Sequence, residues 1–148
     1  MRPLKKIDFS IEKIQSMPKA NEYVVLQAGK GKEDNSRIQV SLSGFSYIEG
    51  LIWDKYREYG NKAKSKISSE EWERILEGFK IAQEKLRLYK TEDKLRKMLK
   101  FDIIGSKYPL NDMLDNVDEM EVFLSEISNW ISSMIREESY ILVIKKGN

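Results

Sequence analysis

The side chains that carry most acid-base and nucleophilic chemistry do not occur in this sequence. Its 148 residues contain neither histidine nor cysteine. Those two residue types supply most proton shuttles near neutral pH, thiolate nucleophiles and soft-metal ligands. Catalysis would have to use carboxylates, lysines, tyrosines or a hard metal ion, and no spacing of these residues matches a catalytic motif. We therefore predict a protein that is not an enzyme and has no catalytic residue and no cofactor.

One short segment is rich in the oxygen ligands that a hard metal ion prefers. Its carboxylates are Asp112, Asp115, Asp118, Glu119 and Glu121. An EF-hand loop needs ligands at alternate positions and a glycine at its sharp turn. Here no glycine lies between Gly105 and Gly147. We predict no metal site and interpret the carboxylates as the acidic start of a helix, where they complement the helix dipole.

Charge is divided unevenly along the chain, although the whole chain carries a formal net charge of only +2. Residues 79–107 hold nine basic and four acidic residues, whereas residues 108–138 hold eight acidic residues against Arg136 alone. These blocks carry net charges of +5 and −7. One interpretation is that the two segments pack side by side and partly neutralise one another. The other is that the acidic segment is a docking face for a basic protein, because charge complementarity speeds association and selects partners.

A docking face of this kind usually contains aromatic side chains that supply affinity. Tyr47 and Trp53 lie off the apolar stripe that Phe45, Ile48 and Ile52 define. We predict these two as exposed anchors, with burial at the edge of the core as the alternative. The predicted partner-binding set is therefore the five carboxylates together with Tyr47 and Trp53.

The basic block supports a second hypothesis, a nucleic-acid-binding accessory protein. The residues that would follow a phosphate backbone are Lys94, Arg96, Lys97 and Lys100, with Lys62, Lys64 and Lys66 beside them. Tyr89 or Trp72 would stack on a base. A nucleic-acid binder usually concentrates positive charge, whereas this chain offsets it with an acidic segment. Nucleic-acid binding therefore ranks second.

The spacing of apolar residues predicts an α+β fold in one domain, residues 1–148. Period-two or unbroken β-branched runs predict strands at 22–28, 36–43 and 139–145. Period-3.6 stripes predict helices from 44, from 68, from 91 and from 117 to about 136. Ser68 with Glu71, and Thr91, have the character of helix N-caps. We expect a small three-stranded, mostly antiparallel sheet packed against about four helices.

The predicted core follows from these stripes. It contains Val25, Ile38, Val40, Ile48, Ile52, Trp72, Ile75, Phe79, Leu86, Phe123, Leu124, Ile127, Ile131, Leu142 and Ile144. No run approaches the ~20 apolar residues of a membrane span, and the first residues have a basic flank but no apolar stretch of an export signal. We predict a cytoplasmic protein that does not contact a membrane. Its most concrete predicted function is that of an immunity or antitoxin-type inhibitor of a basic toxin enzyme, an analogy from composition.

Overall fold

The computed structural model describes residues 7–15, 23–32, 36–59, 63–86, 88, 91–100 and 111–145. The strands are β1 (Ile11–Lys13), β2 (Tyr23–Ala28), β3 (Arg37–Ser41), β4 (Lys64–Ser68) and β5 (Tyr140–Lys145). The helices are α1 (Leu42–Ser46), α2 (Glu49–Lys55), α3 (Ser69–Leu86), α4 (Glu92–Met98), α5 (Asn111–Leu114) and α6 (Val117–Met134).

Side-chain caps begin two of the helices where the sequence places them. The Ser68 hydroxyl accepts a hydrogen bond from the backbone N–H of Glu71 at 3.3 Å, at the start of α3. Thr91 accepts one from the backbone N–H of Lys94 at 3.4 Å, at the start of α4. Each cap satisfies a donor that has no partner within its helix.

The five strands form one antiparallel sheet in the order β1-β3-β2-β5-β4. β2 and β3 form a hairpin in which Leu26 lies opposite Ile38. The chain returns at its far end as β5, which inserts between β2 and β4 and pairs Leu26 with Val143. The last strand of the chain therefore lies inside the sheet.

The prediction of three strands and about four helices is wrong. The sheet has two additional edge strands, β1 and β4, and the described residues form more helical segments than four. The sequence does not predict a strand around Lys64 and Lys66, because a run of lysines is typical of a solvated loop. This stretch is an edge strand, in which exposed lysines alternate with buried Ser65 and Ile67. Edge strands commonly carry outward lysines, which oppose pairing with another chain.

The helices cover one face of the sheet and enclose the core. Side chains from alternate strand positions, such as Leu26 and Val143, pack against α3 and α6. Trp72 of α3 is fully buried, and its Nε1–H donates to the backbone carbonyl of Ile141 at 3.3 Å. Phe9 before β1 packs against Phe123 of α6, with ring centroids 5.0 Å apart.

Three residues predicted for this core lie on the other face of the sheet. The register places Val25 opposite Ile144, with Leu142 on the same face, whereas Val24, Leu26 and Val143 point toward the helices. Val25 and Leu142 are nevertheless buried, and Ile144 is half-buried. The unbroken apolar runs of β2 and β5 contain no period-two signal, so the sequence did not distinguish the two faces.

No helix in the described part of the chain has the length and apolar character needed to cross a membrane.

Candidate functional site

The predicted acidic residues lie on one exposed stripe of α6 and the turn before it. Asp115, Asp118 and Glu119 are exposed, and Glu121 is half-buried. The stripe continues through Val122 and Glu126, because residues three and four apart share one face of a helix. Asp112 begins the same acidic segment, but its side chain lies outside what the structure describes. We call Asp115, Asp118, Glu119, Glu121, Val122 and Glu126 the acidic face.

Val122 gives this face an apolar centre. It is 57% exposed, although most large apolar side chains of the described residues are buried or partly buried. It borders a concavity of about 340 Å³ between α6 and α3. Three carboxylates, those of Asp118, Glu121 and Glu126, line that concavity, and its described lining contains no lysine or arginine. Val122 is not among the residues predicted from the sequence, although it is an apolar residue off the buried stripe of α6.

The two aromatic residues predicted for this face do not belong to it. Tyr47 is only 2% exposed, so the prediction that it is an exposed anchor is wrong and the alternative of burial holds. Its ring is part of the core beneath the helices. Trp53 is half-buried on α2, where the Arg57 guanidinium lies 4.3 Å from its ring centroid. α2 packs on α3, and the carboxylates lie on α6.

Part of the basic block lines a second concavity, on the opposite flank of α3. Lys94, Lys97 and Lys100 contribute to a groove of about 590 Å³ between α2, α3 and α4. Lys55 and Lys85 complete its set of lysines. We call this cleft the lysine groove. Arg96 is half-buried and is not part of its lining.

The other residues predicted to bind nucleic acid do not join the lysine groove. Lys64 and Lys66 point from β4 away from the helices, where the Lys66 ammonium lies 4.4 Å from the centroid of the Tyr140 ring. Trp72 is fully buried and has no face open to a base. Lys62 and Tyr89 lie outside the described residues.

A buried polar cluster that sequence analysis missed joins α2 to β5. Glu49 is 7% exposed, and its Oε2 atom accepts a hydrogen bond from the Tyr59 hydroxyl at 2.6 Å. The Lys145 ammonium lies 2.9 Å from the same oxygen and 4.6 Å from the centroid of the Tyr59 ring. A signal was available, because Glu49 is the only charged residue in positions 38–53.

This cluster fixes the protonation of Tyr59. Burial raises the pKa of Tyr59 well above its ordinary value, and the adjacent Glu49 carboxylate raises it further by its charge and by accepting the phenol hydrogen bond. The phenol therefore stays protonated and acts as a donor. The Tyr59 hydroxyl and the Lys145 ammonium bind the same carboxylate oxygen of Glu49. These contacts hold the end of β5 against the first turn of α2.

The described residues contain no group of three or more acidic side chains placed to hold a metal ion. Comparison of the chain with protein-family models, with curated proteins and with solved structures found no match. Function must therefore be argued from the two surfaces on either flank of α3.

Proposed function

We propose that this protein is a non-enzymatic binding module that docks a basic protein partner through the acidic face of α6. The observation that carries the proposal is the exposed Val122, which is surrounded on its helix by Asp118, Glu119 and Glu126. Protein interfaces commonly combine an apolar centre with a charged rim. The centre contributes affinity, and the rim sets the rate and selectivity of association.

The helix is suited to present such a face without rearrangement. The opposite side of α6 is anchored by Met120, Phe123, Leu124, Ile127 and Ile131, all of which are buried. Because these anchors hold the helix on the core, the exposed carboxylates occupy fixed positions. A rigid face loses little conformational freedom on binding, which favours affinity.

The most concrete form of this proposal is an immunity or antitoxin-type inhibitor whose partner is a basic toxin enzyme. An acidic surface can cover the cationic site with which such an enzyme holds an anionic substrate. A cytoplasmic location stays a prediction from the sequence.

Nucleic-acid binding through residues 80–107 is the second candidate. Lys94, Lys97 and Lys100 meet in one groove, which favours an anionic ligand. The base-stacking role proposed for Trp72, however, conflicts with its complete burial. A nucleic-acid ligand would also pass close to the acidic flank of α3.

The test is affinity capture from native lysate with three baits, each with and without nuclease. The baits are the native chain, the acidic-face variant Asp115→Lys/Asp118→Lys/Glu119→Lys, and a control with equal charge change at exposed sites elsewhere, Glu58→Lys/Glu73→Lys/Glu77→Lys. We expect one stoichiometric basic protein on the native and control baits, resistant to nuclease and lost from the acidic-face variant. Equal recovery on all three baits, or material that disappears with nuclease, would refute the proposal.

A further inference from the structure

The lysine groove combines a concentrated positive charge with a partly apolar surface. Five ammonium groups line it, from Lys55 of α2, Lys85 of α3, and Lys94, Lys97 and Lys100 on or just after α4. Asp54 is the one carboxylate in the described lining. Its carboxylate oxygens lie 3.8 Å from the Lys55 ammonium and 4.0 Å from the Arg57 guanidinium, so its charge is already offset.

The lining of the groove also contains apolar side chains. Ile81 of α3 is 45% exposed and Met98 of α4 is half-buried, and both line the groove. Leu51 and Ala82 form its buried floor. A ligand that matches this lining combines negative charge with an apolar or aromatic group.

The backbone of Lys100 adopts a conformation that is unfavourable for lysine. Its φ angle is +54°, which lies in the left-handed region that favours glycine. The position follows the C-cap residue Leu99 of α4, where glycine is the common choice. Retaining lysine there strains the backbone, and such strain tends to occur at functional sites.

The volume of the groove and the residue type that supplies its charge restrict the class of ligand that fits. A volume of about 590 Å³ lies in the range of small-molecule sites. A nucleic-acid strand needs a longer basic track, and the neighbouring concavity across α3 is lined by carboxylates. Lysine is a common phosphate ligand and acts as a compact point charge, whereas arginine binds carboxylates and phosphates through its planar fork. The described lining of the groove contains lysines and no arginine.

We infer that the lysine groove binds a small phosphate ester with an apolar or aromatic group, of the nucleoside polyphosphate class. The phosphates lie among the five lysines, and the organic group packs on Ile81 and Met98. This site is separate from the acidic face, and its ligand is independent of the protein partner.

The test is isothermal titration of the full chain with four probes: ATP, inorganic triphosphate, inorganic phosphate and a single-stranded oligonucleotide. We expect ATP to bind with one-to-one stoichiometry, more tightly than triphosphate, and triphosphate more tightly than phosphate. Lys97→Met should weaken ATP binding roughly tenfold, the order expected for one lost charge-assisted hydrogen bond. Ile81→Ser should weaken the binding of ATP while that of triphosphate is retained. Lys80→Met, an exposed change outside the groove, should leave all four affinities unaltered.

The variant Lys100→Gly distinguishes a loss of ATP binding from a loss of stability. The change removes one charge from the groove and relieves the left-handed strain, so the variant should melt at a higher temperature and yet bind ATP more weakly. Failure of ATP to bind the native chain would overturn the inference. If the oligonucleotide binds more tightly than ATP and ATP displaces it, the inference is overturned in favour of nucleic acid. Unchanged ATP affinity in Lys97→Met and Lys100→Gly would show that the groove is not the site.

Discussion

The backbone carbonyl of Lys100 packs directly on the Cα atom of Gly50. A Cβ atom at Gly50 would overlap the carbonyl oxygens of both Leu99 and Lys100. Backbone atoms cannot swing aside as the end of a flexible side chain can. The first turn of α2 and the end of α4, which form two walls of the lysine groove, therefore lie at a separation that glycine permits.

Gly50→Ala should destabilise the fold by about 1–3 kcal/mol, the usual result of overpacking. This loss arises although alanine is the better helix former. The matched control is Gly78→Ala in α3, where a Cβ atom would lie no closer than 3.7 Å to Lys55. This substitution should stabilise the protein by about 0.5–1 kcal/mol. Urea denaturation measures both changes. Equal effects of the two substitutions would contradict the close packing of α2 on the end of α4.

The buried pair of Tyr59 and Glu49 predicts a loss of stability in alkali. Because the pKa of Tyr59 is raised in the folded state, this residue's contribution is complete below the ordinary tyrosine pKa of about 10. As the pH rises above that value, the unfolded chain releases the proton and the folded chain retains it, so unfolding becomes easier.

Tyr59→Phe should lower stability at neutral pH and flatten the alkaline decline. The loss at neutral pH should be about 1.5–3 kcal/mol, since the hydrogen bond is made to a charged group. Denaturant midpoints across the alkaline range, with tyrosinate absorbance followed in parallel, measure both effects. If native protein and variant lose stability in parallel above pH ~10, the phenol is not held protonated as the structure indicates.

The two faces of α6 should differ strongly in how much an introduced aspartate destabilises the protein. Ile127 is fully buried, so Ile127→Asp should cost more than about 4 kcal/mol by burying an unpaired charge. Val122 lies five residues earlier on the exposed face, and Val122→Asp should cost less than about 1 kcal/mol. Circular dichroism and thermal melting compare the variants. A stable, folded Ile127→Asp protein would refute the packing of α6.

Ser65 on the edge strand β4 is predicted to be a stability defect. Its side chain is buried, and its hydroxyl has no hydrogen-bond partner within the described part of the structure. Ser65→Ala should therefore stabilise the protein by about 1 kcal/mol, since an unsatisfied buried group is removed. Ser68→Ala, three residues later, should destabilise it by about 1 kcal/mol because it deletes the cap of α3. Opposite shifts in urea midpoint are expected, and a loss of stability in both variants would show that the Ser65 hydroxyl is satisfied.

The sequence predicted the long helices and paired strands better than it predicted the edges of the sheet. α6 was expected from 117 to about 136 and spans Val117–Met134, because its apolar stripe is long and regular. β4 was missed because its lysines resemble a loop, although Ser65 and Ile67 alternate with them. The alternation identifies a strand only once β4 is paired with β5, and the local sequence does not give that pairing.

The candidate sites were predicted only in part, for a similar reason. The charge distribution along the chain selected Asp115, Asp118 and Glu119, and all three are exposed in the structure. The burial of Tyr47 and the exposure of Val122 depend on how α1, α2 and α6 pack, which local sequence does not determine. The cluster of Glu49, Tyr59 and Lys145 joins residues far apart in the chain, so only the topology reveals it.

The central claim is that the acidic face steers a basic partner onto α6. The most direct measurement is the association rate constant with the captured partner, by stopped-flow fluorescence at increasing salt, for native protein and for Asp115→Lys/Asp118→Lys/Glu119→Lys. Native association should slow steeply as salt rises, because exposed charges more than about 10 Å apart are screened at 0.1 M. The variant should associate at least about tenfold more slowly at low salt, with little salt dependence. Equal rate constants for the two proteins at every salt concentration would contradict the account.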